Sequence, residues 1–220
     1  MKFSEPDKDT QTHQETLGEE IASSISHGIG AVLSVAALVI LVVLAAQRGD
    51  PWKIVSFSVY GSALILLYLA STFYHSLTNK IAKNVFFIFD HVFIYVLIAG
   101  TYTPITLISM RGTWGWVLFG LIWGMAVLGI LFKIFLLGKL KILSVVFYIA
   151  MGWLVIIALR PMLEMIPTKM TILLFIGGIL YTLGIIFYAW KKMPYNHFIW
   201  HLFVLTGSLT HFFGFLFFVI

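Results

Sequence analysis

Residues 25–46 read ISHGIGAVLSVAALVILVVLAA and contain no lysine, arginine, aspartate or glutamate. An α-helix of roughly 20 apolar residues crosses a hydrocarbon core about 30 Å thick, so this stretch predicts a membrane-spanning helix. A membrane-spanning β-strand would alternate polar and apolar residues, and residues 36–46 show no such alternation. The stretch therefore indicates a helical membrane protein.

The composition of the whole chain agrees with this interpretation. Of its 220 residues, 60% are hydrophobic and only 10% are charged, whereas a soluble domain carries about 25% charged residues. The absence of cysteine excludes a disulfide framework, an iron–sulfur cluster and a cysteine nucleophile. The net charge of +5 does not predict a nucleic-acid partner, because the basic residues are scattered between apolar runs and reflect membrane topology.

Further apolar stretches bring the number of predicted membrane-spanning helices to seven. Turn-forming and charged residues separate the stretches, and every connection is short. We predict an all-α membrane protein, a bundle of seven transmembrane helices without an inserted soluble domain. The predicted spans are 25–46, 54–76, 85–109, 114–136, 142–159, 171–190 and 196–220.

The distribution of charge predicts domain organisation and orientation. An acidic cytoplasmic tail at 1–21 precedes a transmembrane domain at 22–220, and the tail, including His13, is expected to be solvated. With the N-terminus inside, nine basic residues lie on the cytoplasmic side and five on the other, so the positive-inside rule places the C-terminus outside. The tail's acidic residues are Glu5, Asp7, Asp9, Glu15, Glu19 and Glu20.

The fourth predicted span contains one GxxxG motif, formed by Gly120 and Gly124. Small residues at this spacing allow two helices to approach closely within a membrane. We therefore expect close helix packing at these glycines, and no direct functional role.

Several polar residues lie within or beside the apolar spans. An ionisable group inside a membrane costs at least a few kcal/mol, so each one is a candidate for function. Because successive helices alternate in direction, most of these residues gather near the cytoplasmic face. The candidates are His27, Ser71, His75, Asp90, His91, His197, His201 and His211.

The spacing of His197 and His201 stacks two imidazoles on one helix face. This geometry suits two ligands of one metal ion, and His75 can supply the third ligand that a catalytic zinc site uses. Asp90 would then hydrogen-bond to bound water or to an imidazole, and Ser71 lies one turn before His75. The alternative is that histidines at helix ends are interfacial residues with a wet ring tip.

The remaining histidines have simpler interpretations. His91 lies about 100° around the helix from Asp90 and is expected to be either a surface imidazole or one that packs between helices. His211 lies about 15 Å along the helix from His201, too far to share a metal, and is expected to hydrogen-bond inside the bundle. His27 is either an interfacial residue or the cap of a cavity.

The polar residues form four ordered motifs on these spans. The motifs are Glu20 with Ser26-His27-Gly28, Ser71-Thr72-Phe73-Tyr74-His75, Phe89-Asp90 with Gly100-Thr101-Tyr102-Thr103-Pro104, and His197-Phe198-Ile199-Trp200-His201 followed by His211. Together they strongly resemble the hemolysin III branch of the progestin and adipoQ receptor family. The resemblance covers nearly the whole chain from Glu19 onward, and one departure is Ser23, where the family commonly has asparagine.

The resemblance implies that His75, His197 and His201 bind Zn²⁺, with Asp90 linked to the metal through water. The family is similar to alkaline ceramidases, which implies hydrolysis of a lipid amide or ester, with Asp90 and Ser71 as catalytic residues. Two alternatives stay open: a sensor or regulator of membrane state with structural zinc, and a cytolytic pore. Membrane lipid is the expected substrate or ligand, and a bacterial cell membrane is the expected location.

Overall fold

The computed structural model describes residues 15–135 and 141–220. In these two ranges, seven helices are long and apolar enough to cross a membrane, and no β-strand occurs. The predicted all-α, seven-helix architecture is therefore confirmed, while the orientation of the termini stays a prediction. His13 and the acidic residues at positions 5, 7 and 9 lie outside the described residues.

Two of the seven spans depart from a single uninterrupted α-helix. The third span continues beyond α3 as a π-helix over Ile105–Ser109, and the fifth consists of α5, a 3₁₀ segment over Leu154–Ala158, and α6. The α-helices are α1 (Leu17–Gln47), α2 (Pro51–Ser76), α3 (Lys80–Pro104), α4 (Thr113–Phe135), α5 (Lys141–Gly152), α6 (Leu159–Met165), α7 (Thr168–Ala189) and α8 (Asn196–Phe218).

Tight, capped turns connect the first three helices. The Asp50 side chain accepts a hydrogen bond from the Trp52 backbone N–H at 2.9 Å, and Pro51 follows at the first helical position, where its missing N–H costs nothing. Asn79 caps α3 in the same way, accepting from the Ile81 N–H at 3.0 Å. These short turns make α1, α2 and α3 antiparallel neighbours, so the end of α2 lies beside the start of α1.

A tyrosine from α3 stabilises the break in the fifth span. The Tyr102 hydroxyl donates to the Gly152 carbonyl at 2.9 Å and accepts from the Val155 N–H at 3.0 Å. These two backbone groups lie where the α-helical pattern ends, and a buried backbone group without a partner is costly. Tyr102 therefore compensates for hydrogen bonds that the irregular segment loses.

A buried hydroxyl network fixes α8 against α2 and α7. Tyr68 donates to the Ser208 hydroxyl at 2.8 Å, and the Tyr181 hydroxyl lies 2.7 Å from the same oxygen. Tyr60 donates to the Ser208 carbonyl at 3.3 Å, and its ring packs edge-on against Phe215. Hydrogen-bonded polar groups are tolerated in an apolar interior, so this network sets the position of α8 relative to α2.

The close helix approach in α4 occurs at a different glycine from the predicted pair. An added Cβ at Gly120 or Gly124 would meet no atom within 4 Å among the described residues, so the expectation of close packing at that pair is wrong. A Cβ at Gly129 would overlap the ring of Tyr95 in α3. Gly129 therefore lets α4 approach α3, and Gly115 similarly lies against backbone atoms at the end of the third span.

We predict that Gly129→Ala destabilises the protein by about 1–3 kcal/mol, because the added methyl group overpacks the contact with Tyr95. Gly124→Ala is the matched control, and it is expected to leave stability unchanged or raise it by up to about 1 kcal/mol. Thermal unfolding of the purified variants in detergent measures both changes. Equal stability of the two variants would contradict the assignment.

Candidate metal centre

The start of α1 is attached to the start of α8. The Glu19 carboxylate accepts from the Thr16 N–H at 2.7 Å, and the Thr16 hydroxyl accepts from the Glu19 N–H at 3.3 Å. This reciprocal arrangement is a capping box, which fixes where a helix begins. The other Glu19 oxygen accepts from the Tyr195 N–H at 2.7 Å, immediately before α8, where Tyr195 adopts a left-handed φ of 56°.

As a result, α1 begins at Leu17, earlier than the predicted span start at residue 25, and includes the last part of the stretch assigned to the tail. The sequence pattern Thr16-x-x-Glu19 is itself a signature of a capping box, so this start could have been found from the sequence. The acidic residues around it are part of the site and not only of a solvated tail.

Three histidines from two helices meet at this end of the bundle. His75 lies in the last turn of α2, and His197 and His201 lie in the first two turns of α8. One nitrogen from each ring lies within 4.8 Å of one nitrogen from each of the others. The ring centres are 4.9 Å apart for His75 and His197, 5.1 Å for His75 and His201, and 4.7 Å for His197 and His201.

These separations match the requirements of a tetrahedral zinc site. A zinc–nitrogen bond of about 2.0–2.1 Å puts an imidazole centre about 3.2 Å from the ion, so two rings at the tetrahedral angle have centres about 5 Å apart. The observed separations run from 4.7 to 5.1 Å. In addition, the His75 Nε2 atom is buried and has no hydrogen-bond partner among the described residues. The donor set therefore fits zinc.

Carboxylate oxygens lie close to the Nδ1 atoms of two of these rings, His75 and His197. Glu15 lies 2.7 Å from the Nδ1 of His197 and 3.4 Å from the Nδ1 of His75. Glu20 lies 3.1 Å from the Nδ1 of His75 and accepts from the Lys83 ammonium at 2.6 Å. Burial raises the pKa of Glu15, but its contacts with His197 and His75 outweigh it and lower the pKa well below its ordinary value. A charged Glu15 favours the tautomer of the facing ring that carries its proton on Nδ1, which leaves Nε2 available to a metal.

A backbone carbonyl contacts the Nδ1 atom of the third ring, that of His201. The Nδ1 of His201 lies 3.2 Å from the Ser23 carbonyl and 3.4 Å from the Ser26 hydroxyl. His27 stacks on His201 with ring centres 3.5 Å apart and packs edge-on against Tyr68. A ligand histidine usually donates its second N–H to a carboxylate or carbonyl, which fixes the ring orientation, and all three rings meet this condition.

A mostly apolar cavity of about 150 Å³ begins beside the histidines. His27, Asp90 and His201 line one end of it, and Thr101 and His211 line it further along the bundle. Apolar and aromatic side chains from α3, α5, α7 and α8 form most of its wall. The cavity therefore joins the histidine cluster to the apolar interior of the bundle.

Asp90 and Ser71 are buried near the cluster in different environments. Asp90 lines the cavity, interacts electrostatically with His75, and lies 3.8 Å from the Nδ1 of His91. Ser71 is fully buried one turn before His75, and its hydroxyl has no hydrogen-bond partner within the described ranges. Ser71 is not among the residues that line the cavity.

The two other histidines make contacts within the bundle. The Nδ1 of His91 lies 2.8 Å from the Phe87 carbonyl of its own helix, and its ring packs on Phe87. The Nε2 of His211 lies 3.2 Å from the Leu174 carbonyl of α7, where Gly177 leaves room for the ring. The expected hydrogen bond of His211 inside the bundle is thus present.

These features define an integral membrane protein of seven helices with a three-histidine cluster at one end of the bundle. The chain belongs to the Haemolysin-III related family, whose sequence profile matches residues 15–212. The resemblance to the hemolysin III branch is therefore confirmed.

Relatives from bacteria and animals support the same assignment. The chain is 50% identical over 205 residues to "Hemolysin-3 homolog" of Bacillus subtilis, covering 93% of this chain and 96% of the relative. It is 50% identical over 202 residues to "Hemolysin-3" of Bacillus cereus, covering 92% of each. The human "Monocyte to macrophage differentiation factor", a distant relative, is 28% identical over 208 residues, covering 92% of this chain and 85% of that protein.

We predict that Glu19→Ala destabilises the protein by about 2 kcal/mol, because the variant loses the capping box and leaves the Tyr195 N–H without its acceptor. Glu164→Ala is the matched control, since Glu164 is exposed and forms a surface ion pair with Arg160 at 3.0 Å. It should change stability by less than about 0.5 kcal/mol. Thermal unfolding in detergent measures the difference. A Glu19→Ala variant as stable as the control would show that this anchor is dispensable.

Proposed function

We propose that the protein is an intramembrane zinc hydrolase that cleaves an amide or ester bond of a lipid. The observation that carries the proposal is the convergence of His75, His197 and His201 beside a cavity that Asp90 lines. A cluster of histidines with a nearby carboxylate inside an apolar bundle is costly to bury, and such groups mark functional sites.

In this proposal, His75, His197 and His201 would hold Zn²⁺. Imidazole ligands suit zinc, and the Nδ1 contacts to carboxylates and a carbonyl would fix the orientation of each ring, as the outer partners of metal-bound histidines do. Zinc held by three protein ligands acts as a Lewis acid and lowers the pKa of water to about 7.

Asp90 is the proposed general base. It lines the cavity on the side of the cluster. Among the described residues, its carboxylate accepts no hydrogen bond from a side chain, and the Nδ1 of His91 lies 3.8 Å away. A carboxylate in this position accepts a proton from the attacking water and then returns it to the leaving group. A role in binding a structural cation alone would not require a carboxylate that faces a cavity.

Ser71 is the proposed hydrogen-bond donor to the substrate carbonyl. Its buried hydroxyl has no partner in the described part of the chain, and an unsatisfied buried donor costs about 1–3 kcal/mol. Ser71 does not line the cavity, so the proposed contact requires a small rearrangement when substrate binds. This makes Ser71 a secondary contributor compared with Asp90.

The substrate class follows from the cavity wall. Apolar side chains such as Leu97, Ile98 and Phe175 line the space that extends from the cluster into the bundle. An apolar chain that leaves the bilayer for such a space loses little free energy, because the two environments are similarly apolar, whereas a polar, water-soluble substrate would lose its hydration there. We propose a membrane lipid as the partner molecule, and the cell membrane of a bacterium as the location, since two of the similar proteins come from Bacillus species.

A sensor of membrane state with structural zinc is the second candidate. The observation that favours it is that the histidines join the last turn of α2 to the first turns of α8, as a structural metal would. A cytolytic pore is less compatible with the observed cavity, because conduction requires a polar path through the bilayer and the cavity wall is mostly apolar.

Metal analysis of the purified protein tests the ligand assignment. We expect about one zinc per chain in the wild type and its loss in His75→Ala, His197→Ala and His201→Ala, because each variant removes one of three protein ligands. His211→Gln is the matched control, since it changes a buried histidine of α8 outside the cluster, and it should keep its zinc. Full metal content in His201→Ala would refute the assignment.

Turnover of a panel of lipid amides and esters tests the chemistry. We expect Asp90→Asn to keep zinc and to lose about 10²–10⁴-fold in rate, because general-base catalysis contributes about that factor. Ser71→Ala should lose less, and the exposed-site variant Glu164→Gln should match the wild type.

The outcome also separates the two candidates. A zinc-loaded wild type that cleaves no member of the panel would overturn the hydrolase proposal in favour of the sensor. Turnover that survives in Asp90→Asn at the wild-type rate would instead remove Asp90 from the mechanism.

A further inference from the structure

We propose that Glu15 is a positioning residue shared by two zinc-binding histidines, so that metal affinity depends on how the segment before α1 is docked. The inference rests on the zinc site of the proposed function. It concerns a residue outside the four sequence motifs and outside the transmembrane helices.

The contacts of Glu15 join two helices. One carboxylate oxygen lies 2.7 Å from the Nδ1 of His197 in α8, and the other lies 3.4 Å from the Nδ1 of His75 in α2. The side chain is largely buried, with 17% of its surface exposed. A single carboxylate group therefore lies against the Nδ1 atoms of two rings on different helices. The contact with His197 is at hydrogen-bond distance, whereas the contact with His75 is longer and electrostatic, because the Glu15 Oε2 atom has no hydrogen-bond partner among the described residues.

The position of Glu15 is determined by the backbone that follows it. Thr16 caps α1 in a reciprocal pair with Glu19, and Glu19 also accepts from the Tyr195 N–H at 2.7 Å. Glu15 immediately precedes this cap, so the anchor between α1 and α8 holds its carboxylate over the histidines. Loosening the cap would move Glu15 without changing any residue of the cluster.

A second metal site built from Glu15, Glu20 and His75 is the competing use of these groups, since their ligand atoms lie within 4.8 Å of one another. Glu20, however, already accepts from the Lys83 ammonium at 2.6 Å, and a cation there would meet this positive charge. The Nδ1 of His75 is also the nitrogen that faces both carboxylates. The contacts therefore favour positioning over direct ligation.

Zinc affinity of the purified full chain, measured by competition with a chelator, tests the proposal. We expect Glu15→Gln to weaken binding about 10–100-fold, because loss of a partner of a metal-bound histidine typically has that effect. The glutamine side chain offers one acceptor oxygen where the carboxylate offers two. Thr16→Ala keeps the carboxylate but loses the cap, and it should weaken binding by a smaller factor. Glu164→Gln, at an exposed position, is the control.

Substitution of Co²⁺ for zinc gives a readout that a general loss of stability would not change. Positioning predicts that Glu15→Gln keeps the visible spectrum of a four-coordinate cobalt site with altered band positions. A change in coordination number, or a loss of affinity beyond about 10³-fold, well above the factor for outer partners, would identify Glu15 as a ligand and overturn the proposal.

The results also distinguish failure of the zinc site from failure of the proposed role of Glu15. A wild type that binds no metal would refute the zinc site and this proposal together. A wild type that binds zinc, with Glu15→Gln within twofold of its affinity and with an unchanged cobalt spectrum, would refute the role of Glu15 alone. Thermal unfolding without metal, compared with that of Glu164→Gln, shows whether the variant remains folded.

Discussion

The cost of burying polar groups where water is scarce governs the arrangement of this bundle. An ionisable side chain within a membrane-spanning helix is tolerated when other groups satisfy it. His75, His197 and His201 meet this requirement at one end of the bundle, where their Nδ1 atoms face acceptor oxygens. These oxygens belong to Glu20, Glu15 and the Ser23 carbonyl, respectively. The helix turns and the Ser208 network position α2 and α8 so that these groups can reach one another.

Most of the fold could be predicted from the sequence, because hydropathy over about 20 residues is a local property of the chain. Two features could not be predicted, the break in the fifth span and the place where α3 and α4 approach closely, since both depend on tertiary contacts. The break after Gly152 is stabilised by the hydroxyl of Tyr102, which comes from another helix. The close approach of α3 and α4 occurs at Gly129 because Tyr95 lies opposite it, and a motif count favours the Gly120 and Gly124 pair instead.

The histidines of the candidate site could be predicted from the sequence more fully than the groups that contact their Nδ1 atoms. The pairing of His197 with His201 follows from helix periodicity, and the approach of His75 follows from the alternation of helix direction. The partners of the Nδ1 atoms depend on where α1 begins, and the acidic residues there resemble those of a solvated tail. Ser23 stands where the family commonly has asparagine, which changes the side chain at this position. The contact with His201 uses the backbone carbonyl of Ser23, so the substitution does not remove it.

A hydrolase inside a membrane must bring water and lipid to the same atoms. The candidate site has a charged region and an apolar region, which suit water and lipid respectively. Glu15, Glu20 and Lys83 form a charged layer beside His75 and His197, and a mostly apolar cavity begins beside His201. Water is favoured at the charged layer and an apolar chain in the cavity. Asp90 and His201 line the cavity at its end beside the cluster, where the two environments meet. On the proposed function, the position of the cluster between these environments is therefore as important as the identity of its ligands.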